Sequence, residues 1–246
     1  MHGYRTHQTR IAIDGVEDLV IRSLADRQQF HDPLGHAATL GISSAAWPLF
    51  GLPWPSGVQL AAQLAARPVH AGERILEIGC GLALPSLVGH RRGADITASD
   101  CHPLAAAFLR ANLRLNGLEP MSYRHGQWNV QARERVREGA HRGSVVRGRY
   151  DLIIGSDLLY ERDARGGLAA FIAHHALPDA LVWIVDPDRG NRPAFHRDMA
   201  RAGFTREERR LDRAAAPGLP AYRGRMLSYR RGAPPESATP VAAVMP

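Results

Sequence analysis

Arg74-Ile75-Leu76-Glu77-Ile78-Gly79-Cys80-Gly81-Leu82-Ala83 is the stretch that decides the fold. Its apolar run breaks off at two glycines, and a helix-compatible stretch follows. Nineteen residues after Gly81 a second apolar-leaning run, Ala94 to Ala98, ends in Ser99 and Asp100. The pattern predicts a strand, a glycine turn, a helix, and a second strand with a carboxylate at its tip. Glycines there let the backbone approach a ligand, and Asp100 stands where a ribose diol would be gripped.

Two kinds of cofactor use such a unit. A dinucleotide site wants G-x-G-x-x-G/A, so that a pyrophosphate can rest on the helix N-terminus. Here Leu84 holds the third glycine's place, so that cradle is incomplete. The pattern is instead Glu77-x-Gly79-x-Gly81-x-Ala83. A glycine turn that binds nothing is the plain alternative.

Outward from this core the chain alternates strands and helices. Strands are expected at 74–78, 94–99, near 121–125, at 150–155 and at 181–185. Helices are expected over 58–66, 83–92, 103–116, 163–175 and 192–202. Asn116-Gly117 is a stop signal, and Gly203 closes the last helix. Two final strands, 204–210 and 225–230, would give a mostly parallel sheet an antiparallel edge. The expectation is a Rossmann-like α/β fold, seven strands with helices on both faces. Residues 9 to 24 read as a hairpin around Asp14-Gly15. The expected division is a hairpin-and-loop extension over 1–46, the main domain over 47–231 and a disordered Pro/Ala/Ser-rich tail over 232–246. Residues 131–149, rich in Arg and Glu, read as an insertion.

At 246 residues the chain can bury a sizeable core. Its formal charge is +7, all 31 basic residues are arginine, and there is no lysine. The protein therefore cannot modify lysines of its own. The excess is local: Arg189 to Arg231 holds twelve arginines against Asp198, Glu207, Glu208 and Asp212. Such a stretch is a solvated surface, or it meets nucleic acid or an acidic protein. Cys80 and Cys101 have no metal spacing, and two cysteines make no disulfide framework. Without a signal region or a long apolar run, a cytoplasmic location is the default expectation.

In an open α/β sheet, ligands bind beyond the carboxyl ends of the strands. The residues at those ends are Gly79, Cys80 and Gly81; Asp100 and Cys101; Trp128 and Asn129; Ser156, Asp157 and Tyr160; and Asp186. Ser156-Asp157-Leu158-Leu159-Tyr160-Glu161 is the second distinctive motif. It places a carboxylate and a phenol near one opening, unless Asp157 merely caps the following helix and Tyr160 packs beneath a loop.

Motif I, Glu77-x-Gly79-x-Gly81, resembles that of class I S-adenosylmethionine (SAM) methyltransferases. With Ser156 to Glu161 it resembles the seven-β-strand lysine methyltransferase-like family. That family takes in METTL21-type enzymes and the electron-transfer-flavoprotein β-subunit lysine methyltransferase with its bacterial relatives. Trp54-Pro55-Ser56-Gly57 matches the family's Trp segment, Trp128 its tryptophan after strand three, and Asp186-Pro187-Asp188-Arg189 its Asp-Pro-Gly-Arg.

The resemblance covers roughly 47–231 and implies SAM as cofactor. It implies contacts to SAM at Trp54, Gly79, Gly81, Asp100, Trp128 and Ser156. Glu77, Cys80, Cys101 and Asn129 join them by position, and Asp157 with Tyr160 would sit at the acceptor channel. Ala83 departs from the motif's third glycine, which is tolerable if φ is negative there. The implied reaction is methylation of a lysine side chain on a protein substrate, with no metal. A small-molecule N-methyltransferase of the nicotinamide type and a non-catalytic SAM-binding module are the alternatives. Nucleic acid is disfavoured, because the position after strand four lacks the Pro-Pro motif of amino-methylating nucleic-acid enzymes.

Overall fold

A computed structural model describes residues 3–128, 145–160, 163, 165–215 and 221–232. Asn129, Glu161, most of the 131–149 segment and the tail beyond Gly232 lie outside the described residues.

The strands are β1 (Thr6–Ile11), β2 (Leu19–Leu24), β3 (Arg74–Ile78), β4 (Asp95–Asp100), β5 (Ser122–His125), β6 (Tyr150–Ser156), β7 (Ala176–Asp186), β8 (Phe204–Arg210) and β9 (Arg225–Arg231). The helices are α1 (His36–Thr39), α2 (Pro55–Ala66), α3 (Leu84–Arg91), α4 (Ala105–Leu115), α5 (Gly167–His175) and α6 (Arg192–Arg201). Short 3-10 turns sit at Trp47–Gly51 and Leu158–Tyr160.

Seven strands form one sheet in the order β5-β4-β3-β6-β7-β9-β8. The first five are parallel; β9 runs antiparallel between β7 and β8. The predicted seven-stranded sheet with an antiparallel edge is therefore what the chain forms. The chain winds outward from β3 to β5 on one side, then returns to place β6 on the other flank of β3. That reversal opens a crevice beyond the carboxyl ends of β3 and β6.

Side-chain alternation along the strands feeds two faces. Leu152 and Ile154 of β6 pack with Leu60 and Leu64 of α2. Ile153, Val182 and Ile184 pack instead with Leu168, Phe171 and Ile172 of α5 and with Phe195 and Met199 of α6.

The predicted hairpin forms, starting at Thr6 rather than Thr9, with β1 and β2 in their own two-stranded sheet. Helix α4 substitutes for a third strand. Asn116 Oδ1 accepts from the Val20 N–H at 2.9 Å, and Asn112 Oδ1 accepts from the Arg22 N–H at 2.8 Å. Asn116 Nδ2 donates back to the Val20 carbonyl at 2.8 Å. One turn apart on a helix, these amides fall near the spacing of alternate strand residues.

Among the described residues, no helix is long and apolar enough to cross a membrane.

Candidate active site

The turn after β3 is left-handed at three alternate residues: Gly79 (φ 59), Gly81 (φ 51) and Ala83 (φ 60). A side chain on Gly79 would meet Leu158 at 2.5 Å and the Trp128 ring at 3.2 Å. One on Gly81 would meet the Phe50 carbonyl oxygen at 2.8 Å. Both glycines are thus required by conformation and by space. The negative φ expected at Ala83 is overturned. The Ala83 N–H must turn back to the Cys80 carbonyl, 2.7 Å away, while its own carbonyl accepts from Leu87 to start α3. The alanine carries the left-handed strain, on the order of 1–2 kcal/mol, with its methyl fully buried.

Asp100 ends β4 against this turn. Its two oxygens accept from the Gly81 N–H and the His102 N–H, both at 2.8 Å. Asp100 therefore fixes the glycine turn as well as facing the cavity. Burial pushes its carboxyl up, opposed by those amides. Glu77 is buried beneath the same turn, and its Oε2 accepts from the Ser86 N–H at 2.9 Å and from the Ser86 hydroxyl. Burial drives Glu77 up to about 8 despite these donors, with Asp100 adding to the rise.

At the tip of β6, Asp157 is left-handed (φ 57), and its N–H donates to the Val185 carbonyl at 3.0 Å. Rather than capping the following 3-10 turn, its Oδ1 accepts from Arg189 Nη2 at 2.6 Å and Nε at 3.1 Å. Arg189 is held in place by its own N–H, which donates to Asp186 Oδ1 at 2.8 Å. Asp186 is fully buried, and burial raises its carboxyl against the Arg189 amide and the nearby Arg192. The turn Asp186-Pro187-Asp188-Arg189 thus presents a guanidinium to Asp157.

One cavity of about 930 Å³ joins these features. Glu77, Gly79, Cys80 and Gly81 line it from the β3 turn, Asp100 and Cys101 from β4. Trp54 and Trp128 face it, as do Ser156, Asp157 and Tyr160 beyond β6. The Trp54 indole is pinned by its N–H on the Leu49 carbonyl at 2.8 Å. Tyr160 stands at the rim, 45 % exposed. Every described residue that the resemblance implied at the site therefore lines this cavity, whereas Asp186, also at a strand end, does not.

Sequence reasoning missed three contributions to the walls. Leu40, Gly41 and Ile42 close one side from the segment before Trp47. They carry no periodic signal. Arg165 and Arg197 stand on the outer wall, both exposed. Arg189 belonged to a motif, but nothing in its spacing announced a partner 32 residues away.

The volume falls in the range of small-molecule sites. Close backbone approach at Gly79 and Gly81, a carboxylate at the strand tip and two flanking indoles suit a ligand carrying an amino-acid tail, a ribose and a flat base. Among the described residues, no cluster of His, Cys, Asp or Glu could hold a metal ion.

No family model matches the chain. It is 27 % identical over 194 residues to the electron transfer flavoprotein beta subunit lysine methyltransferase of Mus musculus, covering 77 % of this chain and 69 % of that one. The Danio rerio protein of the same name is matched at 36 % identity over 76 residues, and the chain spans only 30 % of its length. Protein N-lysine methyltransferase METTL21A of Mus musculus is 27 % identical over 191 residues, 72 % of this chain and 82 % of that one. The resemblance carried by the motifs is thus borne out. Among solved structures, magnesium protoporphyrin IX methyltransferase from Synechocystis PCC 6803, with bound SAM, superposes with a TM-score of 0.53 at 16 % identity. It covers 72 % of this chain and 78 % of that one, and shares the fold.

Proposed function

We propose that this chain is a SAM-dependent N-methyltransferase that methylates a lysine side chain of a protein substrate by in-line displacement. The observation that carries the reading is one cavity with the glycine turn and Asp100 on one side and Asp157 and Tyr160 on the other. Relatives named for lysine methylation support it.

SAM supplies a methyl group on a sulfonium, already bonded to its leaving group. The chain's task is alignment and exclusion of water. In this reading the turn at Gly79 and Gly81 and the carboxylate of Asp100 hold the amino-acid tail and ribose. Trp54, Cys80, Cys101, Trp128 and Ser156 shape the remaining walls, and Asn129 belongs to the same proposed set. The acceptor amine enters past Tyr160 and donates a hydrogen bond to Asp157. Its nitrogen attacks the methyl carbon, the carbon–sulfur bond breaks, and the new ammonium later sheds a proton to solvent.

The amine must arrive neutral. With an ordinary lysine pKa of about 10.4, only roughly 0.1 % is neutral near pH 7.4, a cost of about 4 kcal/mol. A bare carboxylate would worsen this by favouring the ammonium. Arg189 neutralises Asp157, leaving an oxygen that orients the amine without strongly charging it.

The reading includes an acidic partner surface, because Arg165 and Arg197 are exposed on the outer wall. It also includes a reducing, cytosolic setting, to which two cysteines outside any disulfide at the cavity are suited. Calorimetry should give micromolar binding of SAM and its demethylated product and weaker binding of NAD. Tritiated SAM should label a protease-sensitive, nuclease-resistant band in a cell lysate. Tighter NAD binding, or label only in small molecules, would overturn the proposal.

A further inference from the structure

Glu77 and Asp100 place two buried carboxyl groups at one end of the cavity. Neither has an ion-pair partner among the described residues. Among the described residues Glu77 takes the two Ser86 donors, both on Oε2, and none on Oε1. Asp100 takes backbone amides. The neighbouring His102 is itself held neutral by burial, its ring pushed down to about 3. A ligand cation is the one compensating charge such a site can receive.

We infer that Glu77 selects the cofactor by charge: it is a neutral acid in the free protein and gives up its proton when cationic SAM enters. The inference rests on the proposed methyltransferase reading. Burial without a cation keeps the proton on Glu77 up to about pH 8. The sulfonium and ammonium of SAM favour the carboxylate, so the proton leaves to buffer. Transfer of the methyl turns the sulfonium into a neutral thioether. The demethylated product then loses part of the attraction, and Glu77 favours its exchange for fresh SAM.

The comparison with Glu77→Gln separates this proton from those of the titratable groups packed around it. Asp100 beside it and Cys80 on the adjoining turn are both shifted upward by burial, and each raises the cost of a second anion. Behind Asp100, Tyr123 is pushed well above its ordinary range by burial. Cys101 lies beside Asp100, α3 contributes the non-titrating Ser86, and Asp157 across the cavity is paired with Arg189.

Calorimetry of the whole protein with SAM, in buffers of differing ionisation enthalpy, reads the proton directly. At pH 7 the wild type should release close to one proton more per SAM than Glu77→Gln, whose titration carries any protons the ligand itself exchanges. The preference for SAM over its demethylated product should grow from pH 6 to pH 8 in the wild type and stay flat in the variant. Ser86→Ala removes a donor to the ionised form and leaves Glu77 in place. At pH 8.5 it should release more protons than the wild type, which by then expels only about a quarter of one. Equal proton release by wild type and Glu77→Gln would overturn the inference. Absence of SAM binding by the wild type would overturn the methyltransferase reading, and this inference with it.

Discussion

Asp157 and Arg189 act as a pair, and neither can be judged by removing it alone. In the proposed reaction, Asp157→Ala leaves a guanidinium facing the place of the sulfonium, while Arg189→Leu leaves a carboxylate that favours the ammonium form of the acceptor. Each single change should lower turnover at least tenfold at pH 7.5. The double variant should lose no more than the worse single one, a coupling of about 1–3 kcal/mol in the activation free energy. Additive losses in steady-state rates would mean that the two act separately. Glu77 leaves a residue-level mark on stability as well. Its folded-state value, about 8, lies above the ordinary 4.5, so its contribution is complete below pH 4.5 and is lost as pH rises through 8. Urea unfolding of the ligand-free protein should show stability falling between pH 5.5 and 8.5 more steeply than in Glu77→Gln. Parallel slopes would mean that Glu77 ionises normally. At this scale the sequence exposed residue types but not their pairings. Gly79, Gly81 and Asp100 were legible because strand tips and glycine turns have fixed spacing. The salt bridge of Arg189 was not, because it joins the ends of β6 and β7, which only the folded sheet brings together.

Elements were read most faithfully where hydrophobic period and stop signals agree. Helix α4 ends at Leu115, as Asn116-Gly117 indicated, and β3, β4 and β6 fall within a residue of expectation. Strand β7 is longer than its apolar run, beginning at Ala176. Its first half, Ala176 to Ala180, is recruited by pairing with Tyr150, followed by a register shift before Leu152, which periodicity cannot show. Asn112 and Asn116 carry a role that helix propensity hides, since both look like weak helix formers yet clamp β2. Asn116→Ala removes the partner of Val20's N–H and carbonyl and should cost about 1–3 kcal/mol. Proteolysis of the first 30 residues should accelerate in the Asn112→Ala/Asn116→Ala double variant well before the sheet unfolds. Loss of the hairpin and the sheet together, in one unfolding transition, would contradict an independent clamp.

At the scale of the molecule, the basic stretch from Arg189 to Arg231 is less of a free surface than its charge suggests. Asp188 accepts from Arg192, Arg210 and Arg225, and these guanidiniums hold its carboxyl at about 2 against the effect of burial. Arg206 lies 3.5 Å from Glu208, and Arg209 donates to Gln63. Neither lines the cavity, whereas Arg165, outside the stretch, and Arg197, within it, both do. Their acidic neighbours are engaged elsewhere: Asp163 accepts from the first N–H groups of α5, and Asp198 pairs with Arg201 at 3.0 Å. Field at the entrance, not net charge along the chain, should therefore steer an acidic partner. Arg165→Glu with Arg197→Glu should raise the apparent KM for a protein acceptor at least fivefold at 20 mM salt, with little change in kcat. The gap should close toward 300 mM salt as the charges are screened. Arg206→Glu with Arg209→Glu, on the far strand of the sheet, should change KM less than twofold under the same conditions. Labelling kinetics with tritiated SAM decide between them. Equal sensitivity of the two pairs would return the partner to the whole basic stretch, and indifference of both to salt would point to a small-molecule acceptor.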